Sequence, residues 1–143
     1  MAEEFISGRE MTVGVLDKIN NSGILHLPLA VSEVILDHGS SFDYQGKYLG
    51  RGSQEITPAA VSAVEKKQCQ DLALEAHKVF GCFGYSRTDM ILTSKGPVFI
   101  ETNTLPGLTK ASFYPQQLEA EKIPFTVFTD QLVTLGMSRY QKV

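Results

Sequence analysis

Period-two alternation of apolar and polar side chains marks most of the strands. Over residues 10–19, Met11, Val13 and Val15 alternate with Thr12, Gly14 and Leu16. Both faces carry apolar groups, so this strand is expected to be largely buried. Asn20-Asn21-Ser22-Gly23 reads as a turn. Residues 24–36 give one or two strands, broken or bent at Pro28. A second alternating pair follows later. Tyr85, Arg87, Asp89 and Ile91 share one face, and Ser86, Thr88, Met90 and Leu92 share the other. Thr93-Ser94-Lys95-Gly96-Pro97 turns the chain, and Val98, Ile100 and Thr102 then alternate with Phe99, Glu101 and Asn103.

Helical spacing appears in two places. Thr57-Pro58 resembles an N-cap followed by a first-turn proline. After it Val61, Val64, Gln68/Cys69, Leu72, Ala76 and Val79-Phe80 recur at three- and four-residue intervals, with Gly81 as the C-cap. That apolar face is expected to back the sheet. Ser112 fits an N-cap before Phe113-Tyr114-Pro115-Gln116, and Ile123-Pro124 breaks that helix. Phe125, Phe128, Leu132 and Leu135 mark a final amphipathic helix. The fold class is therefore α+β, a mainly antiparallel sheet backed by helices. Residues 38–57 are polar and glycine-rich with no clear period, and loops that long in a compact domain are usually functional lids or flexible.

The late hairpin carries the first chemical signal. A five-residue loop closed by Leu92 and Val98 puts Asp89 opposite Glu101 and Arg87 opposite Asn103. Opposed side chains on one face have Cβ atoms roughly 5 Å apart, where like charges repel. One reading is a solvated strand face with ordinary surface charges. The other is a cation held between the carboxylates. Adding the Asn103 amide oxygen makes an all-oxygen set, which suits Mg²⁺ or Mn²⁺ rather than zinc. Asn103 stands at the strand end before Leu-Pro-Gly, and that placement favours a site.

Composition narrows the classes. The 143 residues fit one domain able to bury a core, with 43% hydrophobic and 20% charged residues. A net charge of −3 gives no basic footprint for nucleic acid or an acidic membrane surface. No apolar run approaches the roughly 20 residues of a membrane span. The start, Met1-Ala2-Glu3-Glu4, shows no signal-peptide pattern. Cys69 and Cys82 lack metal-ligand spacing and read as free thiols of a cytoplasmic protein. His26, His38 and His77 form no pair at ligand spacing and read as surface or packed histidines.

Two blocks together carry a resemblance. Gly84-Tyr85-Ser86-Arg87-Thr88-Asp89, then Glu101-Thr102-Asn103-Thr104-Leu105-Pro106-Gly107-Leu108-Thr109, with Ser112 beyond, resemble the C-terminal signature of the D-alanine–D-alanine ligases. These are ATP-grasp enzymes. The likeness extends from Glu3 to Tyr140. It implies a cytoplasmic ligase that joins two D-alanines through an acylphosphate for peptidoglycan synthesis, using ATP and two Mg²⁺ or Mn²⁺ ions. Its partners would be small molecules, with no nucleic acid and no membrane, and the parent enzyme would be a homodimer.

The resemblance also implies roles for single residues. Glu3, Glu4 and Ile6 would lie along the adenine, and Glu10 would hold the ribose hydroxyls. Residues 38–57 would form the omega loop over the active site, with Lys47 reaching the γ-phosphate of ATP. Asp89, Glu101 and Asn103 would be the metal ligands. Arg87, Gly107 and Lys47 would stabilise developing negative charge. Ser112, Leu108 and Tyr48 would bind substrate, with a tyrosine at position 48 going with D-alanine as the second substrate.

The likeness covers only the last part of such ligases. The N-terminal substrate domain and the first half of the ATP-grasp fold have no counterpart here, so this chain alone is expected to be inactive. Other readings are an ATP-grasp ligase for a different amino or hydroxy acid, or a non-catalytic nucleotide-binding remnant.

Overall fold

The computed structural model describes residues 4–21, 23–36 and 53–140. Five strands are defined: β1 (Arg9–Asn20), β2 (Gly23–Leu36), β3 (Ser53–Ile56), β4 (Tyr85–Thr93) and β5 (Gly96–Asn103). Helices α1 (Ala63–Val79), α2 (Phe113–Ala120) and α3 (Phe125–Tyr140) complete the described structure. The strands form one sheet in the order β3-β2-β1-β4-β5, every pair antiparallel. The expected α+β architecture is therefore present.

β1 is the central strand, and its two apolar faces feed two cores. Met11, Val13 and Val15 pack with Val31, Met90 and Leu92 against Cys69 and Ala73 of α1. Leu16 and Leu29 pack on the other face against Tyr114, Leu118 and Phe128 of α2 and α3. β2 is one continuous strand, and its bend is a register shift. Val13 faces Val31 but Val15 faces Pro28, so one extra β2 residue is accommodated opposite Gly14.

Three expectations need correction. The first concerns the hairpin turn. Thr93 pairs with Gly96, so the loop has two residues rather than five. A second shift, between Asp89 and Met90, then restores the register, and Asp89 still faces Glu101 while Arg87 faces Asn103. Gly96 takes φ 116°, a conformation that favours glycine.

The second concerns α1, which starts six residues after Thr57. Its N-cap is Ser62, and a capping box joins the Ser62 hydroxyl to the Glu65 N–H and the Glu65 carboxylate to the Ser62 N–H. Thr57-Pro58 instead forms a cis peptide bond. The buried face is also rotated: it holds Cys69, Ala73, Ala76 and His77, while Val64 and Val79 are 68% and 74% exposed. The helix ends as Gly81 implies. Gly81 takes φ 61°, and the N–H groups of Gly81 and Cys82 donate to the Lys78 and His77 carbonyls.

The third concerns the polar stretch 38–57, which ends in structure. Residues 53–56 are β3 and pair with Glu33–Leu36 at the sheet edge.

Candidate active site

The strand residues singled out in the sequence lie on the face of the sheet opposite α1. Alternation puts Glu10 and Thr12 of β1, Arg87 and Asp89 of β4, and Glu101 and Asn103 of β5 on this face. α2 and α3 cover only one end of it, over Leu16 and Tyr85.

Asp89 is held tightly. Arg87 lies two residues before it on the same strand, and its Nε and Nη2 donate to the two Asp89 carboxylate oxygens at 2.9 and 2.8 Å. Thr12 Oγ1 donates to Asp89 Oδ1 at 2.5 Å from the neighbouring strand. Bidentate pairing of this kind is both stronger and more directional than a single neutral bond. Burial disfavours the Arg87 charge, but hydrogen bonding to Asp89 and the fields of Asp89, Glu101 and Glu55 outweigh it and raise its pKa. The Arg87 guanidinium also lies 6.0 Å from the centre of the Phe113 ring at the start of α2. Two carboxylates thus stand opposed across β4 and β5, one part-buried and arginine-paired, the other exposed.

Asn103 ends β5, and its Oδ1 accepts the Leu105 N–H at 2.9 Å, which starts the bend toward Pro106-Gly107. That bend brings Gly107 against Ser112: a Cβ at Gly107 would lie 2.9 Å from Ser112 Oγ. Ser112 is the N-cap residue of α2, as expected, but its side chain makes no capping bond. Its hydroxyl instead pairs with Thr109 Oγ1 at 2.9 Å. Leu108 is half-buried and packs against the α2–α3 core.

What fixes α2 on the sheet was not read from the sequence. Gln117 is fully buried on α2 and reaches down to β1. Its Oε1 accepts the N–H of Gly14, the residue skipped by the register shift, at 2.9 Å. Its Nε2 donates to the Thr12 carbonyl and to Ser32 Oγ, each at 3.0 Å. Tyr114, one helical turn earlier, donates its hydroxyl to the Val15 carbonyl at 2.9 Å. A side chain at Gly14 would collide with both, since a Cβ there lies 2.7 Å from Gln117 Oε1 and 2.8 Å from Tyr114 Cε2. The signal available in sequence was the second of two adjacent glutamines, beside Leu118 on the inward face of a short helix.

The N-terminal segment borders a cleft of about 400 Å³ lined by Glu4, Phe5, Ile6, Ile91, Phe99 and Ile100. Ile91 is the next residue after Asp89 on the same face. Gly8 allows the close approach, because a Cβ there would lie 2.5 Å from Ile91 Cγ2. Glu10 is half-buried on β1, opposite Ile91 and one step along that face from Thr12. The structure thus brings Glu10, Arg87, Asp89, Glu101 and Asn103 onto one face, with Ile6 and Glu4 at one side. It pairs Gly107 with Ser112 in the bend that leads into α2. Glu3, Lys47 and Tyr48 lie outside the described residues, as do residues 38–52 of the expected loop.

Comparison with known proteins gives a consistent family. Residues 1–134 match the family model described as D-ala D-ala ligase C-terminus. The D-alanine–D-alanine ligase of Leptospira interrogans serovar copenhageni is 40% identical over 139 residues, which is 97% of this chain and 39% of that protein. The Christiangramia forsetii ligase is 45% identical over 117 residues, covering 82% of this chain and 34% of that one. Among solved structures, the VanG D-Ala:D-Ser ligase from Enterococcus faecalis superposes with a TM-score of 0.76 at 36% identity, over 92% of this chain and 37% of that one. The D-alanine–D-alanine ligase of Bacillus anthracis gives a TM-score of 0.77 at 26% identity, over 98% and 43%. This chain spans about two-fifths of the length of these relatives, and by its family match, its ATP-grasp architecture and its sequence identity it belongs to the D-alanine–D-alanine ligase family, as the C-terminal part.

Proposed function

We propose that these residues form one wall of the active site of an ATP- and Mg²⁺-dependent ligase that joins two D-alanines in peptidoglycan precursor synthesis. The opposed pair Asp89 and Glu101 carries the reading. With Asn103 they form an all-oxygen donor set at one end of a strand pair, which fits Mg²⁺ or Mn²⁺. Held by these residues, such an ion would supply Lewis-acid charge neutralisation for phosphoryl transfer.

The chain's own residues then take definite tasks. Glu4 and Ile6, at the cleft beside Ile91, border the adenine, and Glu10 is set to bind ribose hydroxyls. The carboxylate of the first D-alanine attacks the γ-phosphorus of ATP, and ADP leaves. The amine of the second D-alanine then attacks the acylphosphate carbon, and phosphate departs from a tetrahedral intermediate. Arg87 and the Gly107 N–H bear the negative charge that develops there. In the structure Arg87 is spent on Asp89. Its guanidinium lies on the same face of the sheet as Glu101 and Asn103, the side on which the reacting oxygens would sit. Ser112, at the N-terminus of α2, offers its hydroxyl and the helix N–H groups to the second D-alanine's carboxylate, with Leu108 beside it. Lys47 and Tyr48 belong to the same proposal as lid and specificity residues. A D-alanine–D-alanine ligase of Bacillus anthracis described as complexed with ATP shares this fold, with a TM-score of 0.75 at 22% identity.

The test is D-alanine-dependent ADP release. In a full-length enzyme carrying this sequence, Glu101→Gln should abolish Mg²⁺-ATP turnover, and retained activity would sink the assignment. The 143 residues alone should show no turnover, because part of the phosphate clamp lies in the remaining three-fifths of the relatives' length. A second reading concerns only the second substrate. The E. faecalis D-Ala:D-Ser ligase is as similar as 36%, so a panel of D-alanine, D-serine and D-lactate decides it.

A further inference from the structure

The opposite face of the sheet, under α1, holds a cluster that the ligase reading does not use. Asp17 of β1 and His26 of β2 are paired directly across the strands. His77, in the last turn of α1, lies over them, and His26 and His77 have ring centres 5.1 Å apart. One donor atom from each of the three residues lies within 4.8 Å of the others. We propose that Asp17, His26 and His77 form a binding site for a transition metal of the zinc class, separate from the Asp89–Glu101 site.

The geometry around His77 carries the argument. His77 Nδ1 lies 2.7 Å from Ser86 Oγ, deep in the core. With Nδ1–H donated to Ser86, the other nitrogen presents its lone pair. That nitrogen, Nε2, is fully buried and makes no hydrogen bond, although Asp17 Oδ1 is 3.1 Å away. The contact is close but off the line that a hydrogen bond requires. A lone pair facing a carboxylate at that distance calls for a cation between them. Asp17 is prepared for one: its Oδ2 accepts the Gly84 N–H at 2.9 Å and its Oδ1 lies 2.6 Å from His26 Nδ1. The Asp17 side chain is fully buried, so these contacts fix its carboxylate facing both histidines.

Donor chemistry selects the ion. Two imidazoles and one carboxylate suit zinc, copper, nickel or iron, whereas Mg²⁺ prefers all-oxygen sites. Three protein ligands leave a fourth position, and the one member of the three that is not fully buried, His26 with 28% of its side chain accessible, marks where it opens. An ion about 2.0–2.1 Å from each donor needs them about 3.3 Å apart. The His77–Asp17 contact of 3.1 Å is close to that spacing, and the 2.6 Å Asp17–His26 contact would lengthen by about 0.7 Å, which the partly exposed His26 ring allows. The Ser86 contact would serve as the outer-shell bond that orients a metal-bound histidine. The ligands come from β1, β2 and α1, so a bound ion would cross-link the sheet to its backing helix.

Calorimetric titration of the protein with Zn²⁺, in buffer containing excess Mg²⁺, tests this. One Zn²⁺ should bind per chain with a rise in Tm, and Co²⁺ in its place should give visible d–d bands. His26→Gln, at a partly exposed position, should keep the fold but weaken Zn²⁺ binding by more than about tenfold. Glu101→Gln should leave Zn²⁺ binding unchanged. Absence of saturable binding, or equal binding by His26→Gln, would overturn the proposal and leave the cluster held by shared protons.

Discussion

Replacing Gln117 with leucine probes how the fold sets the position of α2. The side chains are similar in size, so little cavity is created and the effect is mainly polar. Three hydrogen bonds are lost, to the Gly14 N–H, the Thr12 carbonyl and Ser32 Oγ. Ser32 keeps its contact with Thr57 Oγ1 at 2.6 Å and stays satisfied. Gly14 is skipped by the β1–β2 register, and its N–H loses the partner it has there. An orphaned buried donor costs about 1–3 kcal/mol, and each further lost bond about 1 kcal/mol. Burying leucine in place of an amide offsets about 1 kcal/mol of this. The expected loss is therefore about 2–4 kcal/mol, or about 8–16 °C in Tm at about 4 °C per kcal/mol for a domain of this size. The chain has no tryptophan, so urea unfolding followed by circular dichroism is the suitable assay. Gln116→Ala on the same helix removes exposed contacts to Glu55 and Ala111 and should change stability by less than about 0.5 kcal/mol. A loss below 1 kcal/mol for Gln117→Leu would refute the claim that this amide carries the helix.

Two further predictions concern other parts of the fold. Burial pushes the Cys69 thiol up to about 11 from an ordinary 9.0. The unfolded thiol ionises first, so this contribution to stability is complete below pH 9 and fades as pH rises toward 11; Cys69→Ala should flatten the alkaline decline in Tm. Lys122 ends α2 with φ 56°, a left-handed conformation that costs a non-glycine residue about 1 kcal/mol. Lys122→Gly should therefore raise stability by about 0.5–1 kcal/mol, and an unchanged or lower urea midpoint would contradict that reading.

β4 was legible because its α1-facing side is buried and its other side is not, a strict period of two, and β1 because both of its faces are apolar. Arg87, Asp89, Glu101 and Asn103 fell on one face even though the turn was misread. The two-residue turn shifts the register by one and the irregularity beside Asp89 shifts it back, so the two departures cancel. The start of α1 was misplaced because Thr57-Pro58 satisfies the same rule of cap and first-turn proline that Ser62 and Glu65 satisfy better. Its buried face was misjudged because Val64 and Val79 lie on the solvent side, while small residues, Ala73 and Ala76, allow the helix close to the sheet. Gln117 and the Asp17-His26-His77 cluster were beyond reach. The β1–β2 pairing sets Asp17 against His26, but only the packing of α1 brings His77 to them and only the packing of α2 brings Gln117 to Thr12, 105 residues away.

The central claim is that the face bearing Asp89 and Glu101 holds a divalent ion on ATP. Mn²⁺ reports this directly, because its free-ion electron paramagnetic resonance signal falls as it binds. Titrating the protein into Mn²⁺ and ATP should deplete that signal beyond the effect of ATP alone, and Glu101→Gln should weaken the depletion at least about tenfold. Equal depletion by the wild-type protein and Glu101→Gln would contradict the account.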